Sequence, residues 1–240
     1  MIILEKGRYR ARLAGSAEDF AALHALRAGA FAADRDGPDA HDAACAHMLI
    51  EDMAGGAVVG TFRLALFATG GAIGSSYSSQ FYELSALSRH DAPMMELGRF
   101  CTAGRSGDPD ILRVAWGAIV RRVEETGAQM IFGCTTFPTQ DAGALEDAFA
   151  LLRARHLAPP DWRPGIRAPE VVTFPDRDAR DPKGAQARMP ALLRSYLGMG
   201  GRVGDHAVID RQMRAIHVFT GLEIAAIPKA RVRLLRALAE

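Results

Sequence analysis

Several features are scarce in this 240-residue sequence, and each scarcity excludes a class of protein. The three cysteines, Cys45, Cys101 and Cys134, form no CxxC or Cys/His ligand pattern, which favours a reduced cytoplasmic setting over a secreted disulfide framework. A formal net charge of +1 lacks the positive field that a nucleic-acid-binding protein needs. The sequence also lacks an apolar run that would predict a signal peptide or a membrane-spanning helix, and it has no GxGxxG or GxxxxGK[ST] motif.

The composition that remains is that of a folded domain with a full core. Hydrophobic residues make up 49% of the chain and charged residues 24%, which excludes disorder, and 24 glycines without a repeat exclude collagen. Strands follow one another with only occasional helices between them, and a β-hairpin comes early. This order predicts an α/β (α+β) fold: a mixed, mostly antiparallel sheet with helices on both faces.

Hydrophobic periodicity and cap residues predict the individual elements. The predicted strands are Gly7–Ala14, Met48–Asp52, Ala57–Phe67, Met94–Phe100, Gln129–Phe137, Val171–Phe174, Arg202–Ile209 and Ala215–Ile227. The predicted helices begin at Ser16, at Asp110 after an Asp108 cap, at Asp141, at Pro190 and after Pro228. Residues 175–186 are predicted to be a mobile loop or an excursion from the core.

Four charged residues fall at helix or strand positions where the pattern would otherwise be apolar: Arg27, Arg63, Glu96 and Arg99. Each one alone is explained by a solvated edge or an internal salt bridge. Charge at buried positions is costly, however, so four such residues together indicate a functional site. Glycine in mid-strand often marks a bulge, and a bulge at Gly98 would bring Glu96 and Arg99 to one side of their strand.

Other candidate residues have weaker support. Cys101 beside a strand end has no histidine near it in sequence, so a small buried cysteine is the preferred interpretation over a nucleophile. His41 and His47 stand close to Asp39 and Asp42, but no second cluster with ligand spacing follows. The sequence therefore predicts no metal site.

At these residues the sequence resembles a known family, the ornithine-acyl carrier protein N-acyltransferases that make lyso-ornithine lipid. That family is similar to the acyl-homoserine-lactone synthases and more distantly to the Gcn5-related acetyltransferases. The resemblance covers most of Leu13–Asp210. It is carried by the segments LRAGAF, DAHDAACAHMLIED, VVGTFRL, MELGRFCT, IFGCTTFP, RHLAP and LLRSYLGMGGRVGDHAVID. It implies a Gcn5-related fold with an acyltransferase core at 1–180 and a small C-terminal extension at 181–240 packed on that core.

The resemblance also implies site residues. Those expected to bind substrate are Arg27 and Phe31 of the helix motif, Asp39 and Asp42 of the acidic loop, Arg63 of the Gly-Thr-aromatic-Arg strand and Arg99 of the Glu-x-x-Arg strand. The loop expected to bind the acyl donor contains Gly104, Arg105 and Gly107.

The implied reaction moves a 3-hydroxyacyl group from acyl carrier protein to the α-amino group of ornithine. The donor thioester is on the 4'-phosphopantetheine arm of the carrier, and no tightly bound cofactor is expected. An ammonium group must lose a proton before it attacks, so a carboxylate in a partly desolvated site is a suitable base, and Glu96 is the predicted one. Backbone N–H groups where the strands separate after the bulge would stabilise the oxyanion.

Three alternatives remain open. An acyl-homoserine-lactone synthase would take S-adenosylmethionine as acceptor, but the early tryptophan expected of those enzymes is absent, since Trp116 and Trp162 lie later. Glutamine or lysine would replace ornithine if a few side-chain contacts differed. A non-catalytic membrane-surface module is suggested by the amphipathic VRLLRALAE segment, although docking of that helix on its own core is preferred.

The near-zero net charge averages two unlike regions. Residues 34–52 contain six acids against Arg35, which suits a cationic acceptor, and residues 183–236 contain ten bases against three acids. The basic region suits an acidic carrier protein or an anionic membrane. We therefore expect a cytoplasmic protein with acyl carrier protein and ornithine or a related amino acid as partners, with peripheral contact at the inner membrane surface as a further expectation and no nucleic acid. Solvated faces would explain both regions equally well.

Overall fold

The computed structural model describes residues 1–31, 37–104 and 108–239. The eleven strands among these residues are β1 (Ile2–Lys6), β2 (Tyr9–Leu13), β3 (Ala46–Asp52), β4 (Val58–Phe67), β5 (Tyr82–Glu83), β6 (Met94–Thr102), β7 (Met130–Phe137), β8 (Gly165–Ile166), β9 (Val171–Thr173), β10 (Arg202–Asp210) and β11 (Ala215–Glu223). The six helices are α1 (Ala17–Ala30), α2 (Pro109–Thr126), α3 (Glu146–His156), α4 (Pro182–Arg188), α5 (Ala191–Gly198) and α6 (Lys229–Ala239). Short 3₁₀ turns connect several of them.

The chain forms two compact units. The first unit comprises Met1–Leu66, Met95–Ala128 and Pro228–Glu240, and its strands lie in the order β1-β2-β3-β4-β6. The second comprises Phe67–Met94 and Gln129–Ile227, with strands in the order β7-β11-β10-β9 and a separate β5-β8 pair. Strand pairs whose register is defined are antiparallel. The predicted fold class, a mixed and mostly antiparallel α/β fold, is confirmed.

The two units do not follow the division at residue 180 that the resemblance implied. Residues 202–223 form β10 and β11, which pair with β9 and β7 of the preceding sequence. The last helix, α6, belongs instead to the first unit and packs against α2. A glycine, Gly117, permits this contact, since a Cβ there would lie 2.6 Å from the carbonyl oxygen of Leu238. Sheet pairing and helix packing thus distribute residues 181–240 over both units.

Local chemistry explains where the helices begin and end. Ser16 accepts a hydrogen bond from the backbone N–H of Asp19, and the Asp19 carboxylate accepts one from the Ser16 N–H, which forms a capping box for α1. The Asp108 carboxylate caps α2 by accepting a hydrogen bond from the Asp110 N–H at 2.9 Å, Pro109 stands in the first turn, and Gly127 ends that helix in the left-handed conformation at φ +67°. These predicted caps are confirmed.

Two segments differ from the sequence-based expectations. The first residues form β1, which pairs with β2 and buries Ile3 and Leu4, whereas no strand was predicted before Gly7. Part of the predicted mobile loop at 175–186 is helix α4, because Asp181 accepts a hydrogen bond from the Gly184 N–H at 2.9 Å. The small Ala185 of α4 is fully buried in the core of the second unit.

Each unit has its own apolar core. In the second unit the aromatic rings of Phe137, Phe149 and Phe174 pack together, with the last two stacked at 4.9 Å between centroids. In the first unit α2 packs against β1 and β2. No helix among the described residues is both long and apolar enough to cross a bilayer.

Candidate active site

An ion network fixes the position of α1 in the first unit. The Arg12 guanidinium on β2 donates to Asp19 of α1 at 2.7 Å and to Glu51 of β3 at 2.8 Å. These hydrogen bonds lower the pKa of Asp19 and raise that of Arg12. Because Arg12 connects two strands to the start of α1, the network sets the orientation of the helix that carries Arg27.

Five charged residues of the first unit form what we call the charge cluster: Arg27, Asp39, Asp42, Arg63 and Arg99. Arg27 comes from α1, the two aspartates from the segment before β3, Arg63 from β4 and Arg99 from β6. The three arginine side chains are 1%, 3% and 6% exposed. Three buried guanidinium groups in one place need several acceptors, because burial of an unpaired charge is very costly.

Asp42 is the most highly coordinated member of the charge cluster. Its Oδ1 accepts from Arg27 Nη1 at 2.9 Å and from Arg63 Nη1 at 2.6 Å. Its Oδ2 accepts from Arg27 Nη2 at 3.1 Å and from the Asp39 N–H at 3.0 Å. Burial alone would raise the pKa of Asp42, but the hydrogen bonds from the two arginines outweigh burial and hold the pKa well below its usual range.

Asp39 is the most accessible member of the charge cluster, with 24% of its side chain exposed. It accepts from Arg63 Nη1 at 2.6 Å and from Arg99 Nη2 at 2.8 Å. Burial raises the pKa of Asp39, but the lowering by Arg63 and then by Arg99 is larger, so the net shift is downward. An ionised carboxylate that reaches solvent is able to contact a cation that arrives from outside the protein.

Arg99 holds an unusual backbone conformation, with φ +52°. A left-handed residue that is not glycine costs about 1–2 kcal/mol, and such strain is commonly found at functional sites. The ion pair with Asp39 and a cation–π contact with Phe31, 5.6 Å from guanidinium carbon to ring centroid, offset that cost. This left-handed residue directly follows Gly98, where a bulge was predicted, and the bulge itself stays a prediction.

Gly98 has a different role from the one its position suggests. A Cβ at residue 98 would lie 3.3 Å from Nε of Arg63, which is tighter than most such contacts. The absence of a side chain there leaves room for the Arg63 guanidinium beside β6. Glycine 98 is thus explained by the close approach of a side chain.

The predicted base, Glu96, is buried on β6 with 6% of the residue exposed. The pKa of the Cys45 thiol depends on Glu96 as well as on the charge cluster. Burial raises this pKa to about 11, Arg63 opposes the increase, and Glu96 and Asp42 add to it. Glu96 therefore lies within electrostatic range of the same thiol as the charge cluster. At neutral pH Cys45 is a protonated thiol and not a thiolate nucleophile.

Sequence reasoning did not anticipate a positioning role for His47. Its Nε2 is 2.9 Å from the carbonyl oxygen of Asp42, and the residue pairs with Arg63 across β3 and β4. Burial first, and then the nearby arginines, lower the pKa of His47. In the sequence, the predicted β3–β4 hairpin that places His47 opposite Arg63 was the available signal for this role. His47 was considered only as a metal ligand. No group of three or more metal-binding side chains occurs among the described residues.

Comparison with known proteins shows the family of the chain. A family model described as an acetyltransferase (GNAT) domain matches residues 20–116, a range that contains the whole charge cluster and Glu96. An L-ornithine N(alpha)-acyltransferase from Rhizobium meliloti is 32% identical over 203 residues, which cover 79% of this chain and 67% of that protein. The chain belongs to the L-ornithine N(alpha)-acyltransferase family.

Two further comparisons define the extent of the family likeness. An L-ornithine N(alpha)-acyltransferase from Rhodobacter capsulatus is 29% identical over 170 residues, which cover 71% of this chain and 66% of that protein. The match thus spans about two thirds of the length of these relatives. The solved structure of FeeM, an N-acyl amino acid synthase from uncultured soil microbes, covers 95% of this chain with a TM-score of 0.53 at 10% identity, which shows a shared fold.

The structure brings together all the substrate-binding residues predicted from the family resemblance, since Phe31 contacts Arg99 and the other five form the charge cluster. Their roles toward substrate stay predictions. In the predicted donor loop only Gly104 lies within the described residues, at φ +80°, and Arg105 and Gly107 lie outside them. The carboxylate of Asp108 after this loop caps α2 and accepts a hydrogen bond from the Tyr9 hydroxyl at 2.9 Å.

Proposed function

We propose that this protein is an amino-acid N-acyltransferase that transfers a 3-hydroxyacyl group from the phosphopantetheine thioester of acyl carrier protein to the α-amino group of ornithine. The observation that carries the proposal is the buried charge cluster, together with a buried Glu96 on the same strand as Arg99, in a chain of the L-ornithine N(alpha)-acyltransferase family. Three arginines and two aspartates give this cluster a net formal charge of +1, and Glu96 brings the sum to zero.

Glu96 is proposed as the general base. It takes a proton from the α-ammonium group, directly or through one water molecule. The neutral amine then attacks the thioester carbonyl carbon, an amide bond forms, the carbon–sulfur bond breaks, and the pantetheine sulfur leaves and is protonated. The burial of Glu96 on β6 keeps its carboxylate away from bulk water.

Asp39 is proposed to bind the side-chain ammonium group of ornithine. It is the more accessible carboxylate of the charge cluster, with 24% of its side chain exposed against 9% for Asp42. Asp42 is accordingly assigned a positioning role for Arg27 and Arg63. This assignment favours ornithine or lysine over glutamine, whose side chain is uncharged.

The base is tested by the rate of N-acyl-ornithine formation from 3-hydroxyacyl carrier protein and ornithine. Glu96→Gln keeps the size of the side chain and removes its basicity, so kcat is expected to fall by about 10²–10⁴-fold. The matched control is Glu124→Gln, a half-exposed glutamate of α2 that is ion-paired with Arg236 at 3.4 Å, and its rate should equal wild type. Equal rates for wild type and Glu96→Gln would remove Glu96 from the base role.

The acceptor is tested by competition among ornithine, lysine and glutamine, with product masses as readout. Asp39→Asn is expected to lower the ratio of kcat/KM for ornithine to that for glutamine by about tenfold, because a charged hydrogen bond is lost for one acceptor alone. The ratio cancels any general loss of activity. An unchanged ratio contradicts the role of Asp39, and an acyl-homoserine lactone formed from S-adenosylmethionine contradicts the proposed acceptor.

A further inference from the structure

The second unit contains a cavity of about 360 Å³ that includes no residue of the charge cluster. It lies among helices α3, α4 and α5, and we call it the basic pocket. Sites for small ligands measure roughly 300–1,000 Å³, so this volume accepts a small molecule and is far too small for a folded partner.

The rim of the basic pocket is cationic. Arg155, His156, Lys183 and Arg194 line it, and none of its lining residues, all of which are described, is acidic. The arginine and lysine side chains are on exposed residues, and the histidine is half-buried. Three full positive charges around one small cavity attract an anion.

Contacts at helix ends explain three of these four cations. Arg155 and His156 stand in the last turn of α3, where the negative end of the helix dipole favours positive charge. Arg194, in the first turn of α5, donates a hydrogen bond to the carbonyl oxygen of Met189 at the end of α4. Lys183 stands in the first turn of α4, where a cation gains no stabilisation from the helix dipole, so its position on the same cavity needs another explanation.

The floor of the basic pocket is apolar. Leu151 and Met189 are buried members of the second unit's core, and the half-buried Leu197 packs against that core. Removal of apolar ligand surface from water at such a floor contributes about 25 cal/mol per Å². A ligand with a charged head and a hydrocarbon tail fits both the rim and the floor.

The His156 imidazole is sensitive to the charge of the basic pocket. Burial lowers its pKa, and Arg202 and then Arg155 lower it further. Arg202 also donates a hydrogen bond to the carbonyl oxygen of Arg155 at 3.1 Å, which places a further cation at this end of α3. An anion beside these groups would oppose their effect on the histidine.

We propose that the basic pocket binds a small amphiphilic anion, with a carboxylate or phosphate head held by Arg155, Lys183 and Arg194 and a hydrocarbon tail against Leu151 and Met189. A free fatty acid and an alkyl phosphate share this chemistry. The proposal is independent of the acyl transfer reaction, because binding is measured without acyl carrier protein or ornithine.

Titration calorimetry with four probes tests the ligand class: dodecanoate, dodecyl phosphate, inorganic phosphate and dodecanol. At least one of the two amphiphilic anions is expected to bind about tenfold or more tightly than dodecanol and inorganic phosphate. The comparison of dodecanoate with dodecyl phosphate identifies the preferred head group. Equal binding of dodecanol removes the role of charge, and equal binding of inorganic phosphate removes the role of the apolar floor.

Variants test the location. Arg155→Gln combined with Lys183→Gln is expected to weaken binding of the preferred anion about tenfold, and both side chains are exposed, so the fold should be retained. Arg211→Gln is the matched control, since Arg211 is an exposed cation of the same unit that pairs with Glu170. In wild type, the NMR-measured pKa of His156 should rise on binding. Unchanged affinity in the double variant, or an unchanged His156 pKa, overturns the proposal.

Discussion

Replacement of Asp42 by asparagine should destabilise this protein more than most single substitutions. Asp42 Oδ1 accepts from two arginines, and Oδ2 accepts from Arg27 and from the Asp39 N–H. Whichever way the asparagine amide is oriented, its NH₂ group faces two N–H donors. The variant also leaves Arg27 and Arg63, which are 1% and 3% exposed, without their shared counter-charge.

The magnitude follows from the burial of the partners. Breaking a buried ion pair by removal of one partner costs about 3–5 kcal/mol. For a chain of this size, each kcal/mol lowers Tm by about 2–4 °C, so Asp42→Asn should lower Tm by about 6–20 °C. Arg27→Met should cost less, because it leaves Asp42 with Arg63 and the Asp39 N–H.

Thermal and urea unfolding, followed by circular dichroism, measure these effects. Asp176→Asn serves as the control, because that carboxylate is 89% exposed and its ion pair with Arg153 is screened by solvent and should contribute little to stability. If Asp42→Asn lies within about 1 kcal/mol of wild type, or Arg27→Met is the more damaging variant, the charge cluster does not hold the first unit together as argued.

Three further predictions concern acid stability, helix packing and a thiol. The folded-state pKa of Asp42 lies below its ordinary value of 3.8. Its contribution to stability should therefore be complete above about pH 4 and lost as the pH falls through the folded-state pKa. In Asp42→Asn, Tm should decrease less steeply with falling pH than in wild type. Gly117→Ala should lower the free energy of unfolding by about 1–3 kcal/mol, since the new Cβ would lie 2.5 Å from Leu4 Cδ2. Gly29→Ala is the control and should not destabilise the protein, because its new Cβ would have no atom within 4 Å. Denaturant midpoints measure both effects. In a variant with Cys101 and Cys134 replaced by alanine, Cys45 should be alkylated at pH 8 about a hundredfold more slowly in the folded than in the unfolded chain. The reason is that folding raises the pKa of Cys45 from 9.0 to about 11. Equal alkylation rates would contradict the burial of this thiol.

Most of the fold was accessible to sequence reasoning because its signals are local. The Ser16 cap, the Asp108–Pro109 start and the Gly127 stop each fix a helix boundary through bonds to residues a few positions away. Helix α4 carries the same Asp-Pro signal at Asp181 and Pro182 as α2 does. It was missed because its short sequence lacks large apolar residues.

What sequence reasoning could not supply was long-range pairing. The two compact units could not be predicted from local patterns, because strand order depends on which edges meet in space, and β11 pairs with β7 across about 80 residues of chain. The division into an acyltransferase core and an extension at residue 180 stays a prediction. The contents of the charge cluster were predicted, but its internal bonding was not. Nothing in the spacing of Asp39, Asp42 and the three arginines reveals that one aspartate is enclosed and the other accessible.

The arrangement of charge within the charge cluster connects the structure to the proposed chemistry. Its guanidinium groups would disfavour an ammonium group placed beside them and would therefore favour the neutral, nucleophilic amine. The same charge attracts the acceptor's α-carboxylate, while Asp39 supplies a local negative group for the distal ammonium. In the proposed reaction, a site of this kind would treat the two amino groups of ornithine differently: the α-amine would lose its proton beside the guanidinium groups, and the side-chain amine would retain its proton beside the carboxylate.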